Sequence, residues 1–342
     1  MFHPHRIVGI AAAAGLAFIA SGALSSAASP GLATPGRSGG ASTSGGSHGA
    51  TSHTTPHATP HASPSHAGKP GNPDIRSNMA LVVDQAVGET LYAKKPDQVA
   101  PIASITKLMT AMVVLDAGLP LDEPIAIDKA DVDVMKHSHS RLPVGAVLPR
   151  GEVLRVALMS SDNRAAAALA RTYPGGTAAC VEAMNRKANA LGMERSTFAD
   201  PTGLTSRNVS SAEDLSRMVL AAARYDAITT ATTTADHQVT LSNGRVLEYH
   251  NSNGLVSNKT WTIGLSKTGY INEAGRCLVM LAQIAARQVV IVLLDSWGKN
   301  TRLGDANRIR HWMESTLPLP PIPPPDSAET ASSDPAASFQ KP

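Results

Sequence analysis

The sequence has little of what several large functional classes require. Two cysteines in 342 residues, Cys180 and Cys277, are too few for a disulfide-stapled scaffold or a cysteine-rich zinc site. Three Trp, five Tyr and four Phe leave no supply of rings for a base-stacking surface. Acidic residues are missing before Asp74, where the basic groups are Arg6, Arg37 and Lys69. The rest of the chain therefore holds 27 of the 30 basic groups against all 27 acidic ones, and the formal charge of +3 belongs to the N-terminal segment. A body with no cationic surplus has nothing to neutralise a phosphate backbone, so nucleic acid is excluded as a partner. The 42% hydrophobic content excludes a wholly disordered chain.

Apolar runs long enough to concern a membrane are also scarce. The longest goes from Ile7 to about Leu24, behind His3, His5 and Arg6 and ahead of Ser26-Ala27-Ala28. That is the layout of a secretory signal peptide over 1–28. The alternative is an uncleaved anchor, for which about 18 residues rich in Ala and Gly is marginal. The expectation is an exported protein of the periplasm, or one tethered facing it. Residues 29–76 are mostly Ser, Thr, Gly, Ala, Pro and His, and cannot bury enough apolar surface to offset ordering entropy. They read as a disordered linker, with His48, His53, His57, His61 and His66 as part of a polar tether rather than a metal tract. Residues 318–342 open with Pro318-Leu319-Pro320-Pro321 and read as a polyproline-like tail. A body of 77–317 remains, enough for one large domain or two lobes. In an oxidising compartment Cys180 and Cys277 either pair or stay as two buried thiols; both readings stand.

Within the body, Met79–Val83 and Thr90–Ala93 read as a hairpin about Gly88. A helix follows from Ser104, with Leu108, Met109, Met112, Val113 and Leu115 at helical spacing. Further helices are expected over Glu152–Met159, Arg164–Arg171 and Thr177–Leu191, and another to Arg224 behind a Ser210/Glu213 capping box. The period then changes. An Asn243-Gly244 hairpin precedes strands over Thr262–Thr268, Arg276–Ile284 and Val289–Asp295, and a helix over Asn300–Thr316 closes the chain. The order predicts an α/β fold, an antiparallel sheet built from both ends of the body and flanked by helices, with a helical lobe between and a cleft where they meet.

Three short motifs fall along that order. Ser104-Ile105-Thr106-Lys107 opens a helix, which sets Lys107 one turn after Ser104 on the same face. A serine hydroxyl needs a base to become a nucleophile, and a buried lysine beside a second cation can be that base. Ser161-Asp162-Asn163 lies in a tight link between two helices; its Ser can relay a proton and its Asn can hold a substrate amide, while the same residues suit a helix cap. Lys267-Thr268-Gly269 ends an apolar strand. Lys267 and Thr268 suit a substrate carboxylate, and Gly269 lets a substrate strand lie close to the backbone. Ser296–Lys299 and Ser206-Arg207-Asn208 repeat the first two patterns in the wrong surroundings. Glu182-Ala183-Met184-Asn185 reads as a helix face. His137 and His139 near Asp131 and Asp133 match no metal spacing, so no metal or cofactor is expected.

The three motifs in this order are those of serine acyl transferases. On them, and on Phe198-Ala199-Asp200-Pro201-Thr202-Gly203-Leu204, Lys267 through Gly275 and His250-Asn251-Ser252-Asn253-Gly254-Leu255, the body resembles a low-molecular-mass penicillin-binding protein. It is most similar to the serine-type D-alanyl-D-alanine peptidases of the penicillin-binding protein 7 branch, the D,D-endopeptidases. Ser252 stands where that family has Thr. The resemblance implies a serine β-lactamase/D,D-peptidase-like fold. It implies Ser104 as nucleophile, Lys107 as base, Ser161 and Asn163 relaying protons and positioning substrate, Lys267 and Thr268 receiving the substrate's carboxylate, and the backbone N–H groups of Ser104 and Tyr270 as oxyanion hole. Peptidoglycan stem peptides are then the substrate and β-lactams covalent inhibitors. A carboxypeptidase, a β-lactamase and a non-catalytic cell-wall module are the alternatives.

Overall fold

A computed structural model of the chain describes residues 71–317. The expected export segment, the linker up to residue 70 and the tail lie outside the described residues. In order, the chain forms β1 (Met79–Asp84), β2 (Thr90–Lys94), β3 (Ala100–Pro101), a 3-10 turn at Ala103–Ile105 that runs into α1 (Thr106–Asp116), and β4 (Pro124–Ala126). After a second 3-10 turn at Lys129–Asp131 come β5 (Val147–Pro149), α2 (Arg150–Met159), α3 (Asn163–Arg171), α4 (Gly176–Ala190), β6 (Val209–Ser210), α5 (Ala212–Ala222) and α6 (Asp226–Thr233). The remainder is β7 (Asp236–Thr240), β8 (Val246–His250), β9 (Thr262–Ile271), β10 (Gly275–Ile284), β11 (Arg287–Ser296) and α7 (Thr301–Thr316).

Five strands make one antiparallel sheet in the order β2-β1-β11-β10-β9. Its middle strands are buried on both faces, as their continuous apolar runs require. Successive side chains alternate between faces. Leu81, Val279, Leu281, Val290 and Val292 pack towards the helical lobe, while Ala80, Val82, Met280, Ile291 and Leu293 pack with Ile309 and Met313 of α7. The centre of the lobe is α1, in which every residue from Thr106 to Val114 is buried. A helix buried all round belongs in a core, and this one holds the first motif at its start.

Four details depart from expectation. The β7–β8 hairpin stands as its own two-stranded sheet, because its strands bury only alternate residues and so suit one-sided packing. Packing also begins earlier than residue 77: Ile75 is buried, and the amides of Arg76 and Ser77 donate to Asp305 on α7. The short helix α6 was not anticipated. Finally, α5 is capped one residue later than Ser210. Ser211 is extended and its side chain accepts from the Asp214 amide at 3.2 Å, while Ser210 belongs to β6 and meets Ser196 Oγ at 2.7 Å. Ser211→Ala is expected to cost about 1 kcal/mol, read as a lower urea midpoint at unchanged slope, whereas a capping role for Ser210 would leave that midpoint in place.

Candidate active site

All three motifs converge on one cleft. Ser104 sits in the 3-10 turn ahead of α1, and Lys107 is one turn further on, 1% exposed. The Lys107 Nζ lies 2.7 Å from Ser104 Oγ, 2.6 Å from Asn163 Oδ1 and 2.6 Å from the Thr202 carbonyl oxygen. Two of these neighbours can only accept, so two N–H bonds go to them. The third neighbour is a hydroxyl, which can accept from an ammonium or donate to a neutral amine. Burial pushes the Lys107 amine down to about 7, against the opposing pull of Asp200, Asp162 and Asp133. Above that value the amine is neutral and its lone pair faces the Ser104 hydroxyl.

The second motif lies between α2 and α3. Asp162 takes the helix cap, accepting from the Ala165 amide at 2.9 Å. That leaves Ser161 and Asn163 free for the cleft. Ser161 holds φ +63°, a conformation that side chains seldom adopt and that concentrates at functional sites. Its Oγ lies 2.8 Å from Lys267 Nζ, and Asn163 Nδ2 donates to Ser138 Oγ at 2.8 Å. Ser138 in turn donates to Asp133 at 2.6 Å. Although burial opposes it, hydrogen bonds from Lys136, Ser138 and Met135 hold the Asp133 carboxyl down at about 2.

The third motif is not at a strand end. β9 continues to Ile271, so Lys267-Thr268-Gly269 lies within it; the Asn272–Ala274 turn marks the true end. Lys267 Nζ also donates to the Thr268 carbonyl at 2.9 Å, and its pKa is held well below the ordinary lysine range by burial, then by the charges of Lys107 and Arg302. Thr268 Oγ1 donates to Ser252 Oγ at 2.7 Å. β9 also presses on the turn that carries Ser104. A Cβ built on Gly269 would stand 2.9 Å from the Ile102 carbonyl oxygen and 3.1 Å from the Ser104 nitrogen. The backbone at Gly269 and Tyr270 thus runs beside the amide of Ser104.

Sequence reasoning marked part of the support for these groups but gave it no role. Asp200 gathers the amides of Thr202, Gly203 and Thr205 and the Thr202 hydroxyl, which fixes the Thr202 carbonyl on Lys107. Gly203 has φ +84°, and a Cβ there would meet the Ala103 carbonyl oxygen at 2.0 Å. Asn208, fully buried, joins this loop to α1 through Asp200 O and Thr106 Oγ1. Its place in the Ser206-Arg207-Asn208 pattern is therefore structural. Ser138 carries no motif of its own; the Phe198–Leu204 stretch was the available signal for the Thr202 carbonyl and the His250–Leu255 stretch for Ser252. The rival Ser296 is buried against Ser77 Oγ at 2.6 Å and Lys299 is exposed. Asn185 lies on α4, as its periodicity required, and bonds both backbone groups of Phe198. Cys180 and Cys277 are buried free thiols, each pushed up to about 12 by burial. Among the described residues no three His, Cys, Asp or Glu side chains are grouped to hold a metal, and no helix is long and apolar enough to cross a membrane.

A serine paired with a buried lysine, a second Ser–Lys pair and a glycine strand alongside can carry out acyl transfer. Comparison with known proteins agrees. Residues 66–298 match the family model described as D-alanyl-D-alanine carboxypeptidase. The chain is 49% identical to a D-alanyl-D-alanine endopeptidase of Pseudomonas aeruginosa, over 73% of this chain and 81% of that one. It is 46% identical to the D-alanyl-D-alanine endopeptidase of Escherichia coli, over 72% and 81%. Among solved structures it is similar to the Streptomyces DD-transpeptidase, with a TM-score of 0.66 at 28% identity, covering 70% of this chain and 97% of the other.

Proposed function

Since the chain belongs to the D-alanyl-D-alanine carboxypeptidase family, we propose that it is a serine-type D,D-endopeptidase that cuts the D-alanine–diamino acid cross-links of peptidoglycan. The observation that carries this reading is the 2.7 Å contact between Lys107 Nζ and Ser104 Oγ, made where burial favours the neutral amine. Ser104 Oγ attacks the D-alanine carbonyl carbon while its proton passes to Lys107. Amides of Ser104 and Tyr270 receive the oxyanion. The C–N bond then breaks, and the departing amine takes up a proton delivered from Lys107 by way of Ser161. An ester on Ser104 remains. Water attacks it, gives its proton to Lys107, and the proton returns to Ser104 as the peptide acid leaves. Asn163 holds the amide of the acyl side, beside a cavity of about 300 Å³ lined by Thr202, Leu204, Val134 and Met135. Lys267 and Thr268 hold the carboxylate of the leaving residue.

β-Lactams follow the first half of this course and stop at the ester. Ser104→Ala is expected to abolish labelling by a fluorescent penicillin and cleavage of cross-linked muropeptide dimers alike. Mass analysis of the wild-type digest should give monomers from dimers. Loss of one alanine from pentapeptides, with dimers intact, would make the protein a carboxypeptidase, and undiminished labelling of the variant would remove Ser104 from the nucleophile's role. The reading extends to location. The apolar run Ile7–Leu24 followed by small residues supports export to the periplasm, with the His- and Pro-containing linker as a tether to membrane or wall if the segment is retained.

A further inference from the structure

The sheet carries a second cavity just past the third motif. It encloses about 400 Å³ between Tyr270, Asn272 and Gly275 on one side and Trp297 to Lys299 on the other, with Arg276 and Asp295 in its walls. Thr268 and Tyr270 point to the same face of β9, and two strand residues span about 7 Å, so the cavity starts one side chain beyond Thr268. Its walls are built rather than incidental. The β10–β11 register shifts between Arg276 and Leu278, and the Arg276 guanidinium stacks on the Tyr270 ring at 4.4 Å. Asp295, at φ +49°, is held by Asn78 Nδ2 at 2.8 Å, and a Cβ on Gly275 would stand 2.6 Å from its Oδ1. Trp297 is 81% exposed and Tyr270 52%. Neither Arg276 nor Lys299 has an ion-pair partner among the described residues.

We propose that this cavity is the subsite for the amine-side stem peptide of a cross-link, the half of the substrate that leaves when Ser104 is acylated. The inference rests on the endopeptidase reading. A terminal D-alanine ends at its carboxylate on Thr268 and reaches no further. A diamino acid places the same carboxylate there but continues through a methylene chain into a second, anionic stem peptide. Tyr270 and Trp297 offer ring faces for the methylenes, and Arg276 and Lys299 offer unpaired cations for the carboxylates beyond. The cavity's position, its length beyond Thr268 and its charge are what separate a leaving stem peptide from a leaving alanine.

The test uses an uncross-linked tripeptide muropeptide, which presents the diamino acid of the leaving side but lacks the D-alanine that the acyl side requires, and it does not require turnover. Its affinity is measured by calorimetry on the full chain carrying Ser104→Ala, with and without Trp297→Ala or Lys299→Glu. Each second substitution is expected to weaken binding about tenfold. In the wild-type background the same changes should raise KM for dimer cleavage about tenfold at little change in kcat, so that dimer cleavage falls relative to penicillin acylation by the same factor. Unchanged affinity in both variants overturns the proposal, as does a loss of penicillin acylation equal to the loss of dimer cleavage. A wild-type enzyme that leaves dimers intact defeats the endopeptidase reading alone, while tripeptide affinity still decides the subsite.

Discussion

Acylation of Ser104 by penicillin is expected to fall about tenfold for each pH unit below 7. The base must be neutral to take the serine proton, and burial brings the Lys107 amine down to about 7. Below that value Lys107 carries the proton in the free enzyme, its third N–H turns to Ser104 Oγ, and the hydroxyl loses its acceptor. Above it the lone pair is available and the rate should level. The sign follows from depression of a cationic group: activity is present above the folded-state pKa and lost as pH falls through it. Lys267 works in the same direction, since a charge on either buried lysine disfavours a charge on the other. Lys107→Arg keeps the length and charge but cannot release its proton. Loss of a positioned base costs about 10²–10⁴ in rate, so acylation by that variant should drop by this factor and lose its acid limb near pH 7. Stopped-flow acylation between pH 5 and 9 checks both. A flat profile for the wild type, or near-normal acylation by Lys107→Arg, would give the proton to another group.

Gly203→Ala is the second large effect. The added methyl would stand 2.0 Å from the Ala103 carbonyl oxygen, 2.3 Å from its carbon and 2.9 Å from the Ser104 nitrogen, at a φ of +84°. All three atoms are backbone, so no side chain can swing aside. Relief requires moving either the Asp200-anchored loop, which carries the Thr202 carbonyl, or the turn that presents Ser104. The first route detaches an acceptor from Lys107 and the second displaces Ser104 from it. Penicillin labelling should be lost, with destabilisation of about 4 kcal/mol or more. Gly264→Ala in the same protein is the comparison: its Cβ would make ordinary contact with Leu281 at 3.7 Å and should leave melting and labelling near normal. If Gly203→Ala labels and melts like the wild type, the close approach of these two loops is not part of the site.

Ser104, Lys107 and Lys267 were legible because chemistry and local structure coincide there: a hydroxyl and an amine one helical turn apart, and a cation inside an apolar run. Periodicity likewise located the helices α2 to α4 and the strands of the sheet, whose core positions repeat at fixed intervals. What was lost is what no period encodes. α6 reads Asp226–Thr233, with Thr229, Thr230, Thr232 and Thr233 in it, and β-branched residues of weak helix propensity hide a helix held by packing on β9 and α2. The cap of α5 slipped from Ser210 to Ser211 because two adjacent serines satisfy the same pattern. Ser138 reaches the site only through a contact across the fold to Asn163, which a linear reading has no means to pair, and the stretch that marked Ser252 could not show that its partner is Thr268.

The strand order β2-β1-β11-β10-β9 has a consequence in time. β1 is hydrogen-bonded to β11, so residues near position 80 wait for partners near position 293. Contacts of that sequence separation are slow to close. The turn and helix that carry Ser104 and Lys107 are made early in synthesis, but β9, with Lys267 and Gly269, comes some 160 residues later and gains its pairing only when β10 follows. A growing chain thus holds Ser104 and Lys107 before Lys267 and the Gly269 strand exist to join them. The topology thus makes the cleft of Ser104, Lys107 and Lys267 one of the last parts of the fold to be completed.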